Sequence, residues 1–293
     1  MRASLDAGAL AAYRRDGFFF PVTVMAADEA ATYRAAFEIF DRSAKRREHA
    51  DPLRELYLFK PHLLFTWADA LVHHPGVLDA AEDVIGPDIL CWSAGVFTKP
   101  PQSASFVSWH QDATRYGLDD WDGVVRVWLA LTPTSRANGT MQFAPGSHRL
   151  GQVRHIDRPR PGEMLYEGET IDVDLDEAAA VDVVLAPGQA SLHGLGTAHR
   201  SGPNTTAAPR INFVMTFVAP HVGQVPEPDS AILVRGRDTH HHFAPEPRPA
   251  ADFAPQAVAA HRQAMALRRR TFRVLGEMQR RPDHNSEKRR GAA

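Results

Sequence analysis

Cysteine is nearly absent: Cys91 is the one copy in 293 residues. No intrachain disulfide can form, so the chain reads as a protein of a reducing, cytoplasmic compartment. The N-terminus lacks a basic segment followed by an apolar core, so no signal peptide is expected. No apolar run approaches the roughly 20 residues of a membrane span. Neither sign of charge dominates, with 33 basic against 35 acidic residues and a net charge of −2. That balance argues against nucleic-acid and membrane partners and leaves a small-molecule substrate as the expected one. No internal repeat is found.

What is present is ordinary for a globular protein: 44% hydrophobic and 23% charged residues. A chain of this length buries a core without staples, and one domain spanning 1–293 is expected. The basic residues Arg268, Arg269, Arg270, Arg280, Arg281, Lys288, Arg289 and Arg290 read as a solvated helix face and a frayed tail. Histidine is plentiful, with 15 copies, so position must select among them.

The spacing predicts helices over 5–16, 26–48 (with Asp28 as a cap) and 76–85, the last ended by Gly86-Pro87. This gives a helical region over 1–87. From 88 to 220 the segments are short, apolar and split by Gly, Pro and Asn. Strands are expected at 89–99, 104–112, 124–132, 140–144, 182–186, 189–193 and 210–219, a mainly β core of sandwich or double-sheet barrel type with flanking helices. Residues 157–180 read as an insertion over the barrel, either a lid or an idle loop. A proline-rich extension and a helix over 253–280 complete 221–293.

The chemistry centres on "SFVSWHQDATRYG". His110 and Asp112 lie two apart in a predicted strand, so both side chains project to one face. A histidine from another strand would complete two imidazoles and a carboxylate. That set caps one side of an octahedral Fe(II) and leaves positions open. A structural zinc site would take four closed ligands, commonly with thiolate. Two histidines compete for the third place, His193 and His199 in "LHGLGTAHRSGPN". Arg210 opens the next strand and shares a face with Asn212 and Val214. A barrel-facing arginine needs an anion, and its planar fork suits a carboxylate.

Four segments carry a resemblance to the phytanoyl-CoA dioxygenase family of Fe(II)/2-oxoglutarate oxygenases. They are "WHQD" (109–112), "VWLALTPTSRANGTMQFAPGSH" (127–148), "HRSGPN" (199–204) and Arg210. The resemblance implies a double-stranded β-helix, the jelly-roll or cupin-like core. It implies that His110, Asp112 and His199 bind iron, with the offset to Arg210 favouring His199 over His193. It also implies that Arg210, helped by Ser201, grips the distal carboxylate of 2-oxoglutarate. Ser93, Lys99, Thr140 and Trp128 are further candidates near the co-substrate or the pocket wall. The implied activity consumes O2 and 2-oxoglutarate, releases succinate and CO2, and hydroxylates an unactivated C–H bond. In related halogenases a small residue replaces the carboxylate, so Asp112 argues against halogenation.

The substrate is expected to be a small metabolite, an amino acid or a natural-product intermediate of secondary metabolism. Arg115, Tyr116 and Trp121 follow the metal motif and are expected at the pocket mouth. The Pro145-Gly146-Ser147-His148 segment reads as a turn, with His148 not a ligand. His240-His241-His242 is not expected to hold a metal, since consecutive side chains diverge. Two rival readings are a metal-dependent hydrolase or isomerase on the same barrel, and a non-enzymatic metabolite-binding protein.

Overall fold

The computed structural model describes residues 5–46, 58–165, 168–225, 227 and 229–280. Helix α1 (Ala7–Asp16) begins where Asp6 accepts the Ala9 N–H at 2.8 Å and ends at Gly17, whose φ is 86°. Strand β1 (Phe18–Thr23) leads to helices α2 (Ala27–Arg46), α3 (Thr66–Val72) and α4 (Pro75–Ile85). Asp28 does not cap α2. It lies inside the first turn, where a carboxylate still interacts favourably with the helix dipole. Helix α3 was not anticipated.

The remaining elements are β2 (Ile89–Lys99), β3 (Val107–His110), β4 (Val124–Ala130), β5 (Met141–Phe143), β6 (His155–Asp157), β7 (Glu169–Ile171), β8 (Val181–Asp182), β9 (Gln189–His193), β10 (His199–Ser201), β11 (Arg210–Val218), β12 (Ser230–Arg235), β13 (Ala244–Pro245) and α5 (Pro255–Arg280). They form a seven-stranded sheet, β1-β9-β4-β11-β2-β12-β13, a four-stranded sheet, β3-β10-β5-β8, and the ribbon β6-β7. The two larger sheets contribute walls to one cavity, as the double-stranded β-helix expectation requires.

Strand β11 shows how sequence builds this. All nine of its residues are buried, because both faces are covered. Ile211, Phe213, Met215 and Phe217 join Leu71, Val72, Val77 and Ala81 of the helices in the outer core. Losing one such ring, as in Phe213→Ala, costs about 3–5 kcal/mol. Arg210, Val214 and Thr216 line the cavity instead. The register sets three levels on that inner face. Arg210 stands opposite Lys99. Val214 pairs with Gly95 and Trp128. Thr216 pairs with Ser93 and Arg126, and Arg126 in turn with His193.

The 157–180 segment forms part of the cavity wall through Met164 and Leu165. It is tied to β3 by the Ser108 N–H on Glu163 at 3.3 Å, and to the residue before that strand by the Met164 N–H on the Phe106 carbonyl at 2.9 Å. The basic run of α5 is only partly a solvated face. Arg269 and Arg270 are exposed, but Arg268 is 8% exposed and lines the cavity. The Arg280 side chain and residues 281–293, with their basic residues, lie outside the described residues.

Candidate metal and co-substrate site

Strands β3 and β10 pair antiparallel with His110 directly opposite His199, which brings the two rings to 4.1 Å between centroids. Each ring meets a carbonyl two residues back: His110 Nδ1 on Ser108 at 2.9 Å, His199 Nδ1 on Thr197 at 3.0 Å. A carbonyl only accepts, so both Nδ1 atoms carry a proton, and in the neutral ring this leaves the Nε2 lone pair for a metal. Those Nε2 atoms face Asp112, at 3.8 Å from Oδ1 for His110 and 3.6 Å from Oδ2 for His199. The three buried residues offer ligand atoms all within 4.8 Å of one another.

Asp112 reaches this position differently from expectation. Strand β3 ends at His110, and Asp112 opens a 3-10 turn. Gln111 between them keeps extended backbone, φ −112° and ψ 133°, so the two-residue alternation survives the end of the strand. Gln111 is itself pinned. Its amide donates to Gly151 at 2.9 Å and Gly196 at 2.8 Å, and its oxygen accepts from Val153 at 3.0 Å.

Burial is the largest single influence and raises the Asp112 pKa, but Arg126, His199, His110 and His193 together outweigh it and hold the carboxylate well below its usual range. Arg126 forms a close ion pair with Oδ2, and the Tyr116 hydroxyl donates to Oδ1 at 3.3 Å. Burial, then His110, pushes His199 down to about 3. The set is therefore an ionised carboxylate with neutral imidazole at His199, the protonation states a metal ion needs. Imidazole and carboxylate without thiolate suit Fe(II). His193 also lines the cavity, with Nε2 3.9 Å from Asp112 Oδ2, and neither of its ring nitrogens has a hydrogen-bond partner.

Further along the cavity, Arg210 is 1% exposed. Its Nη1 donates to the Gly139 carbonyl at 2.7 Å, while Nε and Nη2 have no partner. No carboxylate among the described residues pairs with it. Burial alone drops its pKa to about 9. Trp128 and Phe97 stand over the guanidinium at 5.3 and 5.9 Å, and the buried Ser201 hydroxyl is also unpartnered. A buried cation with an open edge, beside an idle hydroxyl, fits the free carboxylate of a keto diacid.

The structure gathers His110, Asp112, His199, Arg210, Ser201, Trp128, Ser93 and Tyr116 around one cavity of about 380 Å³. Three other candidates do not line it. Lys99 is fully buried behind the site, donating to the Ser201 and Gly202 carbonyls. Thr140 donates its hydroxyl to Val183 at 2.5 Å. Trp121 packs into a neighbouring apolar cluster. The Arg115 side chain lies outside the described residues. His240, His241 and His242 are exposed. Sequence reasoning missed Arg126, Gln111 and Arg268. Arg126 carried a signal, being the one charge in the apolar strand "VVRVWLA".

The sequence model of the phytanoyl-CoA dioxygenase family matches residues 13–212. The chain belongs to the phytanoyl-CoA dioxygenase family. Membership puts it among Fe(II)- and 2-oxoglutarate-dependent dioxygenases. A probable alpha-ketoglutarate-dependent hypophosphite dioxygenase of Stutzerimonas stutzeri is 30% identical over 161 residues, 54% of this chain and 55% of that one. The match thus spans about half of the length of that relative. An ectoine dioxygenase of Streptomyces avermitilis is 27% identical over 73% of this chain and 78% of its own. Among solved structures, the apo form of ThoJ, a non-heme monooxygenase, superposes with a TM-score of 0.83 at 41% identity. That superposition covers 92% of this chain and 99% of ThoJ.

Proposed function

We propose that this oxygenase hydroxylates an unactivated C–H bond of a small metabolite, with His110, Asp112 and His199 holding the iron and Arg210 and Ser201 holding the 2-oxoglutarate tail. One observation carries the reading: the triad and a buried arginine without a carboxylate partner open on the same cavity. A metal-dependent hydrolase has no use for the second feature. Likeness to a protein named a non-heme monooxygenase supports oxygen insertion as the outcome.

When bound, iron and 2-oxoglutarate supply an oxidant by coupling O2 reduction to decarboxylation, with release of succinate and CO2. The protein's own part is geometric and electrostatic. Arg126 keeps Asp112 ionised and oriented, and the Ser108 and Thr197 carbonyls hold both imidazoles with Nε2 inward. Arg210 fixes the far end of the co-substrate, so its keto-acid end meets the metal in one orientation. Trp128, Phe97 and the 157–180 segment wall the site against water.

Anaerobic addition of Fe(II) and then 2-oxoglutarate to the purified protein should produce the weak visible charge-transfer band of the chelate. Admitting air should release succinate. A protein that binds the metal but gives neither band nor succinate is not an oxygenase of this kind.

A further inference from the structure

Helix α5 places a further arginine in the cavity, and its bonding repeats that of Arg210. Arg268 Nη1 is held by Ser93 Oγ at 3.2 Å. Its Nε and Nη2 have no hydrogen-bond partner among the described residues. In Arg210 as well, Nη1 is anchored and the Nε/Nη2 edge is open. That edge is the one that takes a carboxylate through two parallel hydrogen bonds.

Arg268 is buried and framed by the rings of Phe272, Trp92 and Phe59 at 4.9, 5.2 and 5.7 Å. Its nearest carboxylate, Asp229, is 4.0 Å away on the Nη1 side. Asp229 Oδ1 accepts the Ser230 N–H at 2.8 Å and stands 3.8 Å from Lys60, while Oδ2, the oxygen facing Arg268, has no hydrogen-bond partner and compensates the guanidinium only in part from that distance. Arg126, the next cation, is committed to Asp112. Burial lowers the Arg268 pKa, as expected of an under-compensated cation.

Under the function proposed above, 2-oxoglutarate would have no carboxylate left for Arg268, since one would go to the metal and the other to Arg210. Ser93, which holds Arg268, pairs with Thr216, and Thr216 is six residues along β11 from Arg210. At about 3.3 Å per residue the two backbone levels are roughly 20 Å apart, before the reach of the two arginine side chains is subtracted. A five-carbon diacid, four C–C bonds long, spans less than about 8 Å. The anion for Arg268 must belong to another molecule.

We propose that Arg268 and Ser93 form a carboxylate-binding subsite for the oxidisable substrate, at the end of the cavity remote from Arg210. The substrate is then an organic acid, anchored by its carboxylate on α5, with its reacting carbon held towards the triad. The inference rests on the function proposed above, because it takes the Arg210 end as filled by 2-oxoglutarate.

The test uses full-length protein loaded with Mn(II) and saturating 2-oxoglutarate. Matched probes, hexanoate against hexanamide and benzoate against benzamide, are titrated while Mn(II)-induced broadening of their proton signals is followed. Both acids should bind and broaden, with the amides at least tenfold weaker. Arg268→Gln should weaken acid binding roughly ten- to hundredfold and leave 2-oxoglutarate affinity as in wild type, while Arg268→Lys, which keeps the charge, should lose less. Acids and amides of equal affinity would overturn the subsite. So would acid binding that survives Arg268→Gln, or that disappears as 2-oxoglutarate is raised. Should the glutamine variant not fold, the acid–amide contrast in wild type and in Arg268→Lys decides. Failure of 2-oxoglutarate itself to bind would strike the function proposed above and is seen separately, in the loading step.

Discussion

Replacing Arg210 with methionine should abolish tight 2-oxoglutarate binding and, at the same time, make the ligand-free protein more stable. The guanidinium is 1% exposed, has no carboxylate partner among the described residues, and leaves Nε and Nη2 without acceptors. Burial holds its pKa at about 9 against an ordinary 12.5, a difference on the order of 5 kcal/mol. That is the cost of keeping a cation where no anion answers it. A carboxylate on the open edge relieves the cost, and cutting one partner out of such a pair costs about 2–5 kcal/mol. Affinity should therefore fall roughly 30- to 5,000-fold, read from the visible band in anaerobic titrations of Fe(II)-loaded protein. The same cost vanishes when the arginine is removed, so the melting temperature without ligand should rise. The depressed pKa also means that the unfolded chain binds this proton more strongly between about pH 9 and 12.5. Wild-type stability should gain with pH across that window relative to the variant. A variant with wild-type affinity for 2-oxoglutarate and a lower melting temperature would show that Arg210 is a structural anchor, and the reasoning would fail.

The other expectations are shorter. Asp112→Gly removes the carboxylate from the triad, so Co(II) titration should show metal affinity reduced by more than tenfold and substrate hydroxylation should disappear; wild-type turnover would take Asp112 out of the ligand set. Gly139 has φ 70°, and a Cβ there would meet the Gly202 carbonyl. Gly139→Ala should cost at least about 1–2 kcal/mol in denaturant unfolding and weaken 2-oxoglutarate binding, since the Gly139 carbonyl anchors Arg210; an unchanged Kd would uncouple the two. Lys99 has its pKa lowered to about 7 by burial, then by Arg210. Being a base with a depressed pKa, it costs most stability below pH 7 and progressively less up to about 10.5. The stability of wild type relative to Lys99→Met should therefore increase between pH 7 and 10, and a flat or falling difference would contradict it.

The fold was legible where alternation and length were both strong. Strand β2 fills the predicted 89–99, β9 the predicted 189–193, and β11 stops one residue short of its expected end. Elements fixed by tertiary contact were not legible. Strand β10 is three residues long and exists because it pairs with β3 on one side and β5 on the other. Strand β12 lies in a proline-rich stretch and is held along the edge of β2. In the site, a two-residue spacing located His110 and Asp112, yet the inference ran through a strand that ends before Asp112. Arg268 was read as solvated because it belongs to a basic run. The better signal was periodic: Ala257, His261, Ala264, Met265, Arg268 and Thr271 form one buried stripe on α5, and a charge inside such a stripe needs an explanation that the exposed Arg269 does not.

Position along β11 also explains how one cavity keeps Arg210, Arg126 and Arg268 in separate roles. Arg210, Arg126, Arg268 and Arg200 all line it, Arg200 being paired with Glu177, and Asp112 is the one acidic wall residue among the described residues. Like charges crowded together would destabilise any empty site, but the register separates them by task. Arg210 stands at one end, opposite Lys99. Arg126 sits beside Thr216, in ion-pair contact with Asp112. Arg268 arrives from outside the sheets, on α5, at Ser93. A metal ion added to this set raises the positive charge further, and Asp112 alone cannot offset it. The excess of positive charge favours anionic occupants, in keeping with the proposed keto diacid at one end and the proposed acidic substrate at the other.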